Sequence, residues 1–394
     1  MKAVTWQGKR DVRVVDVPDP RIEEPTDVVI RVTSTAICGS DLHLYEVLAP
    51  YMHAGDILGH EPMGVVEQVG DAVTHVRPGD RVVIPFNISC GSCFMCSRGL
   101  YSQCETTQVR SEGKGAALLG YTQLYGRVPG GQAEYLRVPQ GHFGPIKVSA
   151  EGPDEKYLFL SDVLPTAWQA VSYADPEEGG TVAVFGLGPI GQMAARIALF
   201  RGAGRVIGLD PVAERRAMAA RHGVEVLDPE DLDDVPGTLI EMVDGRGPDA
   251  VIEAVGMEAH GSPRGKLAQA AVGLLPDAVS QPLVDKYAVD RLAALHAALK
   301  SCRRGGTVSI SGVYGGEADP MPMMEIFDRQ LQIRMGQANV HAWIPDLLPL
   351  VDDPSDPLGV LDLTTHRVPL SEAPEAYEVF QKKADGAVKI VLAP

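Results

Sequence analysis

The sequence is poor in aromatic residues, cysteines and basic residues. Aromatic side chains make up 6% of the 394 residues, and six cysteines are present. The 35 Lys and Arg are outnumbered by 52 Asp and Glu, which gives a formal net charge of -17 at pH 7. Because no basic run interrupts this acidic balance, binding to a phosphate backbone is electrostatically opposed. We therefore expect no nucleic-acid partner.

Long apolar runs are missing as well. The sequence contains no run of 18 apolar residues, so we predict no transmembrane helix and expect no membrane partner. The first residues, MKAVTWQGKRDVRVV, alternate like a β-strand and lack the apolar core of a signal peptide. We therefore expect a cytoplasmic protein. With 45% hydrophobic residues, a chain of this length is sufficient for two or three compact domains.

The pattern of strands and helices changes near residue 165. Residues 1–164 contain short alternating runs such as DVVIRVTSTAI, which indicate a mostly antiparallel β domain. Residues 165–337 alternate short apolar strands, such as TVAVF and RVIGLD, with helical patterns. That alternation predicts an α/β fold with a doubly wound parallel sheet. We expect residues 338–394 to fold back onto the first domain.

A glycine-rich turn, GLGPIG, follows the strand TVAVF and opens a helix. It consists of Gly186, Leu187, Gly188, Pro189, Ile190 and Gly191. Strand, glycines, helix, second strand and a following acid, Asp210, form the arrangement typical of dinucleotide binding. The Asp210 carboxylate suits ribose hydroxyls and repels a 2′-phosphate, so we predict NAD rather than NADP. The alternative is a glycine-rich turn in another kind of α/β protein.

Four of the six cysteines lie in one short stretch, SCGSCFMCSRGLYSQC. They are Cys90, Cys93, Cys96 and Cys104. Thiolates bind zinc tetrahedrally, and a site with four protein ligands has no open position, so the pattern predicts a structural zinc. An iron–sulfur cluster is the main alternative, but the last gap is seven residues and Glu105 follows it, unlike the ferredoxin-type run. Disulfides are the remaining alternative and are less expected in a reducing compartment.

Further residues of metal-binding types are dispersed along the chain. AICGSDLHLY contains Cys38, Ser40, Asp41 and His43, and GHEPMG contains His60 and Glu61. FLSDVLPTAWQAV contains one acid, Asp162, ahead of a helical pattern. A lone Cys or His is more often a core or surface residue than a ligand. Taken alone, Asp162 is typical of a helix cap.

Together, in this order and spacing, these motifs resemble the medium-chain, zinc-dependent alcohol dehydrogenase family. The resemblance covers nearly the whole chain. It implies a GroES-like catalytic domain, residues 1–164 with 338–394, and a Rossmann NAD-binding domain, residues 165–337. It also implies NAD and two zinc ions per chain, one of them structural. The catalytic zinc is expected at Cys38, His60 and Asp162, and an Asp as the third ligand resembles the formaldehyde dehydrogenase branch.

The resemblance also implies roles for residues near the zinc and the cofactor. Ser40 and His43 resemble a proton relay that runs through the nicotinamide ribose; an exposed His43 that binds only the ribose is the alternative. Glu61 resembles an acid that approaches the zinc during ligand exchange, and a buried ion pair is the alternative. Three more cofactor contacts are expected: Gly39 and Thr166 near the nicotinamide, and Arg215 near the adenosine.

The expected activity is that of a zinc-dependent, NAD-linked dehydrogenase which oxidises a small alcohol or aldehyde hydrate by hydride transfer. A segment of 45 residues separates DAVIEAVG from CRRGGTVSISG, which is longer than one crossover helix requires. The run VDRLAALHAALKS accounts for that helix and leaves about 257–288 as an insertion. A similar insertion marks the formaldehyde dehydrogenase branch, where it covers the adenine end of the cofactor. Aldehyde dismutation with tightly bound NAD is therefore one alternative. A contact between subunits or a flap is the other expectation for this segment.

A second alternative is a non-catalytic NAD-binding protein that keeps the fold without the chemistry. The joint presence of Cys38, His60, Asp162, Ser40 and His43 argues against it, because a binding module needs none of them. The family resemblance implies a homo-oligomer, either a dimer or a tetramer. The expected substrate is a small molecule, whose identity the sequence does not specify.

Overall fold

The computed structural model describes residues 1–256, 292–314, 318 and 320–394. The predicted insertion at about 257–288 lies outside these residues. The chain forms two compact units, Met1–Thr166 with Ala338–Pro394 and Ala167–Gln337. None of the helices in the described part of the chain combines the length and the apolar character needed to cross a membrane.

Strands and helices of the described residues are numbered here in chain order. The strands are β1 (Lys2–Gly8), β2 (Asp11–Asp16), β3 (Val28–Ile37), β4 (Asp56–Ile57), β5 (Glu61–Val69), β6 (Arg81–Val83), β7 (Tyr135–Val138), β8 (Ile146–Lys147), β9 (Thr181–Phe185), β10 (Arg205–Leu209), β11 (Glu225–Leu227), β12 (Ala250–Glu253), β13 (Thr307–Ile310), β14 (Gln332–Met335), β15 (His366–Pro369) and β16 (Ile390–Ala393). The α-helices are α1 (Gly39–Tyr45), α2 (Glu155–Leu158), α3 (Val163–Ala174), α4 (Pro189–Phe200), α5 (Ala213–Arg221), α6 (Val235–Met242), α7 (Ala293–Ser301), α8 (Met323–Asp328), α9 (Val340–Asp352) and α10 (Ala373–Lys382).

The first unit contains two sheets that are mainly antiparallel. One has the strand order β2-β1-β4, and the other has the order β15-β16-β3-β5-β6-β8, with β7 also paired to β3. The last strand, β16, lies antiparallel beside β3, with Ile390 opposite Ile37. The C-terminal segment therefore completes the sheet whose strand β3 leads into Cys38.

Helix α1 is held in place by a hydrophobic core of the first unit. Leu42, Leu44 and Tyr45 of this helix pack in one cluster with Ile37 of β3 and Tyr377 of α10. The Leu44 side chain is fully buried. Burying a leucine side chain stabilises the fold by about 1.5–3 kcal/mol. Packing of α1 against β3 and against α10 thus fixes the start of α1, where Cys38 lies.

The second unit contains a six-stranded sheet with the order β11-β10-β9-β12-β13-β14. Its strands all run parallel. The run TVAVF of β9 is almost continuously buried, which is typical of a parallel strand covered on both faces. The chain passes from β9 through α4 to β10, and the strand order reverses between β9 and β12. The predicted doubly wound parallel sheet is confirmed, and such sheets bind ligands at the reversal point.

Candidate metal centres and cofactor site

Three distant segments of the first unit bring the predicted catalytic ligands together. Cys38 directly follows β3, His60 directly precedes β5, and Asp162 directly precedes α3. Strands β3 and β5 are antiparallel neighbours, with Ala36 opposite Glu61. The end of β3 and the start of β5 therefore lie side by side, which places Cys38 next to His60.

The donor atoms of this cluster are close enough to share one metal ion. Ligand atoms of Cys38, His60, Glu61 and Asp162 all lie within 4.8 Å of one another. Asp162 Oδ2 is 3.5 Å from Cys38 Sγ and 3.4 Å from His60 Nε2. A tetrahedral zinc, with bonds of about 2.3 Å to sulfur and about 2.0 Å to nitrogen and oxygen, spaces its ligand atoms roughly 3.3–3.5 Å apart. The two measured spacings fit zinc.

Neighbouring side chains fix the orientation of these donors. Asp41 Oδ1 lies 3.1 Å from His60 Nδ1, and Asp41 Oδ2 accepts the Cys38 backbone N–H at 2.9 Å. The Thr166 hydroxyl donates to Asp162 Oδ1 at 2.6 Å. His60 Nε2 and Asp162 Oδ2 are thereby left to face the same point. Partners of this kind set the tautomer and the orientation of metal-binding side chains.

Asp41 was a candidate without a role in the sequence analysis. Cys38 is the N-cap of α1, and Asp41 is the third residue of that helix. An acid at this position commonly accepts the N-cap backbone N–H. That spacing was a usable signal in the sequence, whereas the contact between Asp41 and His60 depends on the tertiary fold.

Asp162 has features of a helix cap and of a metal ligand, the two roles that the sequence left open. Its backbone carbonyl accepts the Thr166 N–H at 2.9 Å, as expected of a residue that begins a helix. Its side chain, however, bonds the Thr166 hydroxyl through Oδ1 and faces Cys38 and His60 through Oδ2. The position is thus that of a helix start, while the direction of the carboxylate favours a metal ligand.

A buried ion pair adjoins the cluster. Lys389 Nζ donates to Glu61 Oε1 at 2.6 Å, and both side chains are 0% exposed. Among the residues that the structure describes, no hydrogen-bond partner faces Glu61 Oε2, which belongs to the donor cluster. The ion-pair alternative for Glu61 therefore agrees with this geometry, and it leaves one oxygen available to a metal. Lys389 lies 328 residues from Glu61, so no local pattern could reveal it.

Burial changes the protonation of the cluster. It raises the pKa of the Cys38 thiol, and the nearby Glu61 charge adds to that effect. Burial opposes a charged His60, but the Asp41 and Asp162 carboxylates outweigh it and raise the pKa of this imidazole. Both groups must lose a proton to bind zinc, so metal uptake should strengthen as pH rises.

The predicted relay residues lie on α1. Ser40 Oγ is 3.2 Å from His60 Nε2, so its hydroxyl is part of the cluster. His43 is one turn further along the helix and 4% exposed. The alternative of an exposed His43 is therefore wrong. Gly39 is the first residue of α1, and a Cβ there would meet no atom within 4 Å.

The four-cysteine stretch forms a second donor cluster. The four Sγ atoms of Cys90, Cys93, Cys96 and Cys104 lie within 4.8 Å of one another. Cys93 Sγ and Cys104 Sγ are 3.9 Å apart, far beyond the roughly 2.05 Å of a disulfide. Two thiolates on a tetrahedral zinc are roughly 3.8 Å apart. The spacing fits the predicted zinc and disagrees with the disulfide alternative.

Hydrogen bonds favour the thiolate form of Cys90, whereas burial and the neighbouring Cys93 and Cys104 raise the pKa of Cys96. Burial opposes a charged Cys90, but the Thr106 hydroxyl and backbone N–H groups lower the pKa of Cys90 to about 6. The Thr106 hydroxyl is 3.2 Å from Cys90 Sγ, and the Cys93 N–H is 3.4 Å from it. Donors aimed at a sulfur stabilise its negative charge, as a thiolate ligand requires.

The glycine-rich turn of the second unit has the close approaches that only glycine allows. Gly186 follows β9 with φ of 84°, and a Cβ at Gly191 would lie 1.8 Å from the Gly186 carbonyl oxygen. Gly188 is the N-cap of α4, and Pro189 and Ile190 form its first turn. The nearest atom to a Cβ at Gly188 is Arg215 Nη1 at 3.8 Å, which leaves its backbone accessible to a phosphate group.

Asp210 directly follows β10, and its side chain bonds to the glycine-rich turn. Its Oδ2 accepts the Leu187 N–H and its Oδ1 accepts the Val212 N–H, both at 2.8 Å. Arg215 Nη1 is 3.7 Å from Asp210 Oδ2. The predicted adenosine-side residue is thus next to the predicted ribose acid. The bond to Leu187 was not predicted, because it depends on how β10 lies beside β9.

Comparison with known proteins shows to which family the chain belongs. The family described as alcohol dehydrogenase GroES-like domain matches residues 24–148, and the family described as zinc-binding dehydrogenase matches 189–262. The uncharacterized zinc-type alcohol dehydrogenase-like protein AdhB of Bacillus subtilis (strain 168) is 44% identical over 397 residues, which is 100% of each chain. The chain belongs to the zinc-type alcohol dehydrogenase family. It is therefore an alcohol dehydrogenase-like oxidoreductase.

Structural comparison confirms the fold class of this family member. Alcohol dehydrogenase TADH from Thermus sp. ATN1 is similar with a TM-score of 0.80 and 34% identity, over 100% of this chain and 99% of its own. The predicted GroES-like and Rossmann fold is confirmed. Formaldehyde dismutase of Pseudomonas putida is 29% identical over 409 residues, 97% of this chain and 95% of its own. That similarity does not show membership of the formaldehyde branch.

Replacing Lys389 tests the buried ion pair. Lys389→Met leaves the Glu61 carboxylate buried without a cation, and we expect the free energy of unfolding to fall by about 3–5 kcal/mol. Urea unfolding of the zinc-loaded protein measures this. The double variant Lys389→Met with Glu61→Gln removes the unpaired charge and should recover a large part of the loss. A change within about 0.5 kcal/mol for Lys389→Met, as at an ordinary surface site, would contradict the account.

Proposed function

We propose that the protein is a zinc-dependent, NAD-linked dehydrogenase that oxidises a small alcohol or aldehyde hydrate by hydride transfer. The observation that carries the proposal is the thiol, imidazole and carboxylate set of Cys38, His60 and Asp162, with spacings of 3.5 Å and 3.4 Å. A protein that only binds a dinucleotide needs no such donor set. The non-catalytic alternative is therefore disfavoured.

Three protein ligands leave a zinc ion with one open position for a substrate. When bound, zinc supplies a Lewis acid that lowers the pKa of a substrate hydroxyl, and NAD supplies the acceptor for a hydride. The Asp162 carboxylate is a poorer electron donor than the thiolate it replaces by resemblance, so the ion becomes a stronger Lewis acid. The four-cysteine cluster, with no open position, is proposed to hold the second, structural zinc.

Ser40 and His43 are proposed to remove the proton of the substrate hydroxyl. The Ser40 hydroxyl lies at the cluster, 3.2 Å from His60 Nε2, where it can accept that proton. Residues three apart on a helix share a face, and we propose His43 as the acceptor that follows Ser40, by way of the nicotinamide ribose. An imidazole with an ordinary pKa of about 6.5 can take and release a proton near neutral pH. Glu61 Oε2 is proposed to approach the zinc during ligand exchange.

In the second unit, the turn Gly186–Gly191 at the start of α4 is proposed to bind the cofactor pyrophosphate, since backbone N–H groups at a helix start favour anions. Asp210 is proposed to select NAD, and Arg215 to lie beside the adenosine. Gly39 and Thr166 stay predictions for the nicotinamide end. A dimer or tetramer and a cytoplasmic location also stay predictions from the sequence.

The ligand role of Asp162 has a sharp test, because asparagine keeps the helix cap but loses the charge. Asn is as good as Asp at a helix N-cap. We expect Asp162→Asn to lose one of two zincs per chain and to lower kcat/KM on the order of 10³-fold, equivalent to several kcal/mol of Lewis-acid stabilisation. Asp162→Cys restores an anionic ligand and should restore zinc. Zinc analysis and NADH formation give both readouts.

Two cysteine variants serve as comparisons. Cys38→Ala should behave like Asp162→Asn, because it removes another ligand of the same cluster. Cys302→Ala should keep both zincs and the activity, since Cys302 is buried in the second unit and bonds to the Thr307 carbonyl. Full zinc and activity in Asp162→Asn would support the cap hypothesis instead.

Cofactor choice is tested at Asp210. Asp210→Ser removes the charge that repels a 2′-phosphate and leaves Arg215 next to the site, so we expect the ratio of Kd(NADPH) to Kd(NADH) to fall on the order of 10-fold. Fluorescence titration measures both constants. Asp244→Ser, which removes an equal charge from an exposed side chain, is the control. A ratio that Asp210→Ser leaves unchanged would argue against contact with the ribose.

Aldehyde dismutation is a second candidate, favoured by the similarity to a formaldehyde dismutase over 97% of this chain. In dismutation, bound NAD oxidises the hydrate of one aldehyde to an acid, and the NADH formed in that step reduces a second aldehyde to an alcohol. The cofactor then need not leave the protein. About one NAD per chain, released when freshly purified protein is denatured without added cofactor, is expected for this alternative. Absence of NAD is expected for the dehydrogenase.

A further inference from the structure

We infer that Tyr121 sets the upper length of the substrate chain, and that the cavity behind its ring marks the space a longer substrate enters once the ring is removed. The inference rests on the proposed function and deepens it. It assigns an upper size to that substrate, because the Tyr121 ring limits the length of its carbon chain.

Two aromatic rings flank the imidazole of His60. The ring centroids of Phe86 and Tyr121 each lie 6.3 Å from that of His60, with interplanar angles of 78° and 83°. His60 provides a donor atom of the catalytic cluster. The two rings therefore bound the space beside the cluster with largely apolar surface. A substrate carbon next to a metal held by this cluster would meet at least one of them.

The two rings differ in what lies around them. Phe86 is buried, and its backbone is held on both sides, by the Ser161 carbonyl at 3.2 Å and the Leu119 N–H at 3.0 Å. Removing its ring would leave a void inside the core. Tyr121 is half-buried and has an edge contact with Tyr125, at 5.5 Å between centroids.

A cavity of about 280 Å³ adjoins Tyr121. Tyr121 lines it together with Gly55, Asp56, Ile57, Arg127, Val128 and Pro129. Among the described residues, Tyr121 is the one that both flanks His60 and lines this cavity. The volume of the cavity is close to the lower limit of small-molecule sites, about 300 Å³, so the cavity can admit several methylene groups.

The part of the cavity wall that contains Asp56 and Arg127 is held in place by polar contacts. Arg127 Nε donates to Asp56 Oδ1 at 2.5 Å, and Asp56 Oδ2 accepts the His53 N–H at 2.8 Å. Tyrosine and alanine side chains are both uncharged at neutral pH. Truncation of the ring should therefore enlarge the space without changing the charge near the cluster.

The experiment compares straight-chain primary alcohols from ethanol to octanol with the wild type, Tyr121→Ala and Tyr125→Ala. The quantity measured is the ratio of kcat/KM for hexanol to that for ethanol. We expect Tyr121→Ala to raise this ratio by at least about 10-fold, since each methylene that becomes buried is worth roughly fourfold. Tyr125→Ala, whose ring contacts Tyr121 but is not paired with His60, should leave the ratio within about twofold.

Two further variants separate ring volume from other effects. Tyr121→Phe keeps the ring and should keep the wild-type ratio, whereas Tyr121→Leu should give an intermediate ratio if Tyr121→Ala fails to fold. An unchanged ratio in folded Tyr121→Ala or Tyr121→Leu, with ethanol still oxidised, overturns this inference and leaves the proposed function standing. A zinc-loaded wild type inactive with all alcohols and aldehydes overturns both.

Discussion

The first unit depends on the balance of charges that it buries around one point. Cys38 as a thiolate, Asp162 and Glu61 would place three negative charges in a core from which water is largely excluded, and unpaired buried charges are strongly destabilising. A zinc dication bound there would balance the two anionic ligands, and Lys389 balances Glu61. The pairing of β16 with β3 brings Lys389 beside the cluster. The last strand thus supplies the first unit with the cation that pairs with Glu61.

The parts of the site that the sequence predicts are those carried by local motifs. The glycine turn follows a buried strand, so its short pattern was sufficient to predict it. Cys38 and His60 are not diagnostic alone; they were predicted because their motifs, in this order and spacing, resemble the family, and both lie at the ends of paired strands. Lys389 and Tyr121 have no such pattern, because their positions depend on contacts between segments far apart in the chain. Asp162 lies between these cases. Taken alone, its position suggested a helix cap, whereas the family resemblance implied a metal ligand; the carboxylate faces Cys38 and His60, which agrees with the ligand role.

The two units contribute different constraints to the chemistry. In the second unit, Asp210 holds the glycine turn through Leu187, which links the shape of the phosphate site to the acid proposed to choose the cofactor. In the first unit, Asp41 and Thr166 orient the side chains of His60 and Asp162, which are the proposed metal ligands, while the rings of Phe86 and Tyr121 flank His60. Family membership gives the class of reaction, and these side chains are the features on which the substrate proposal rests.

The most direct test of the account is a crystal structure of the zinc-loaded protein with anomalous scattering recorded at the zinc absorption edge. The account predicts a zinc peak bonded to Cys38, His60 and Asp162, with bonds of about 2.3 Å to sulfur and about 2.0 Å to nitrogen and oxygen. A second peak is expected among the four cysteines, Cys90, Cys93, Cys96 and Cys104. A zinc-replete protein with no peak at the first cluster, or with a zinc there that does not bond Asp162, would contradict the central claim.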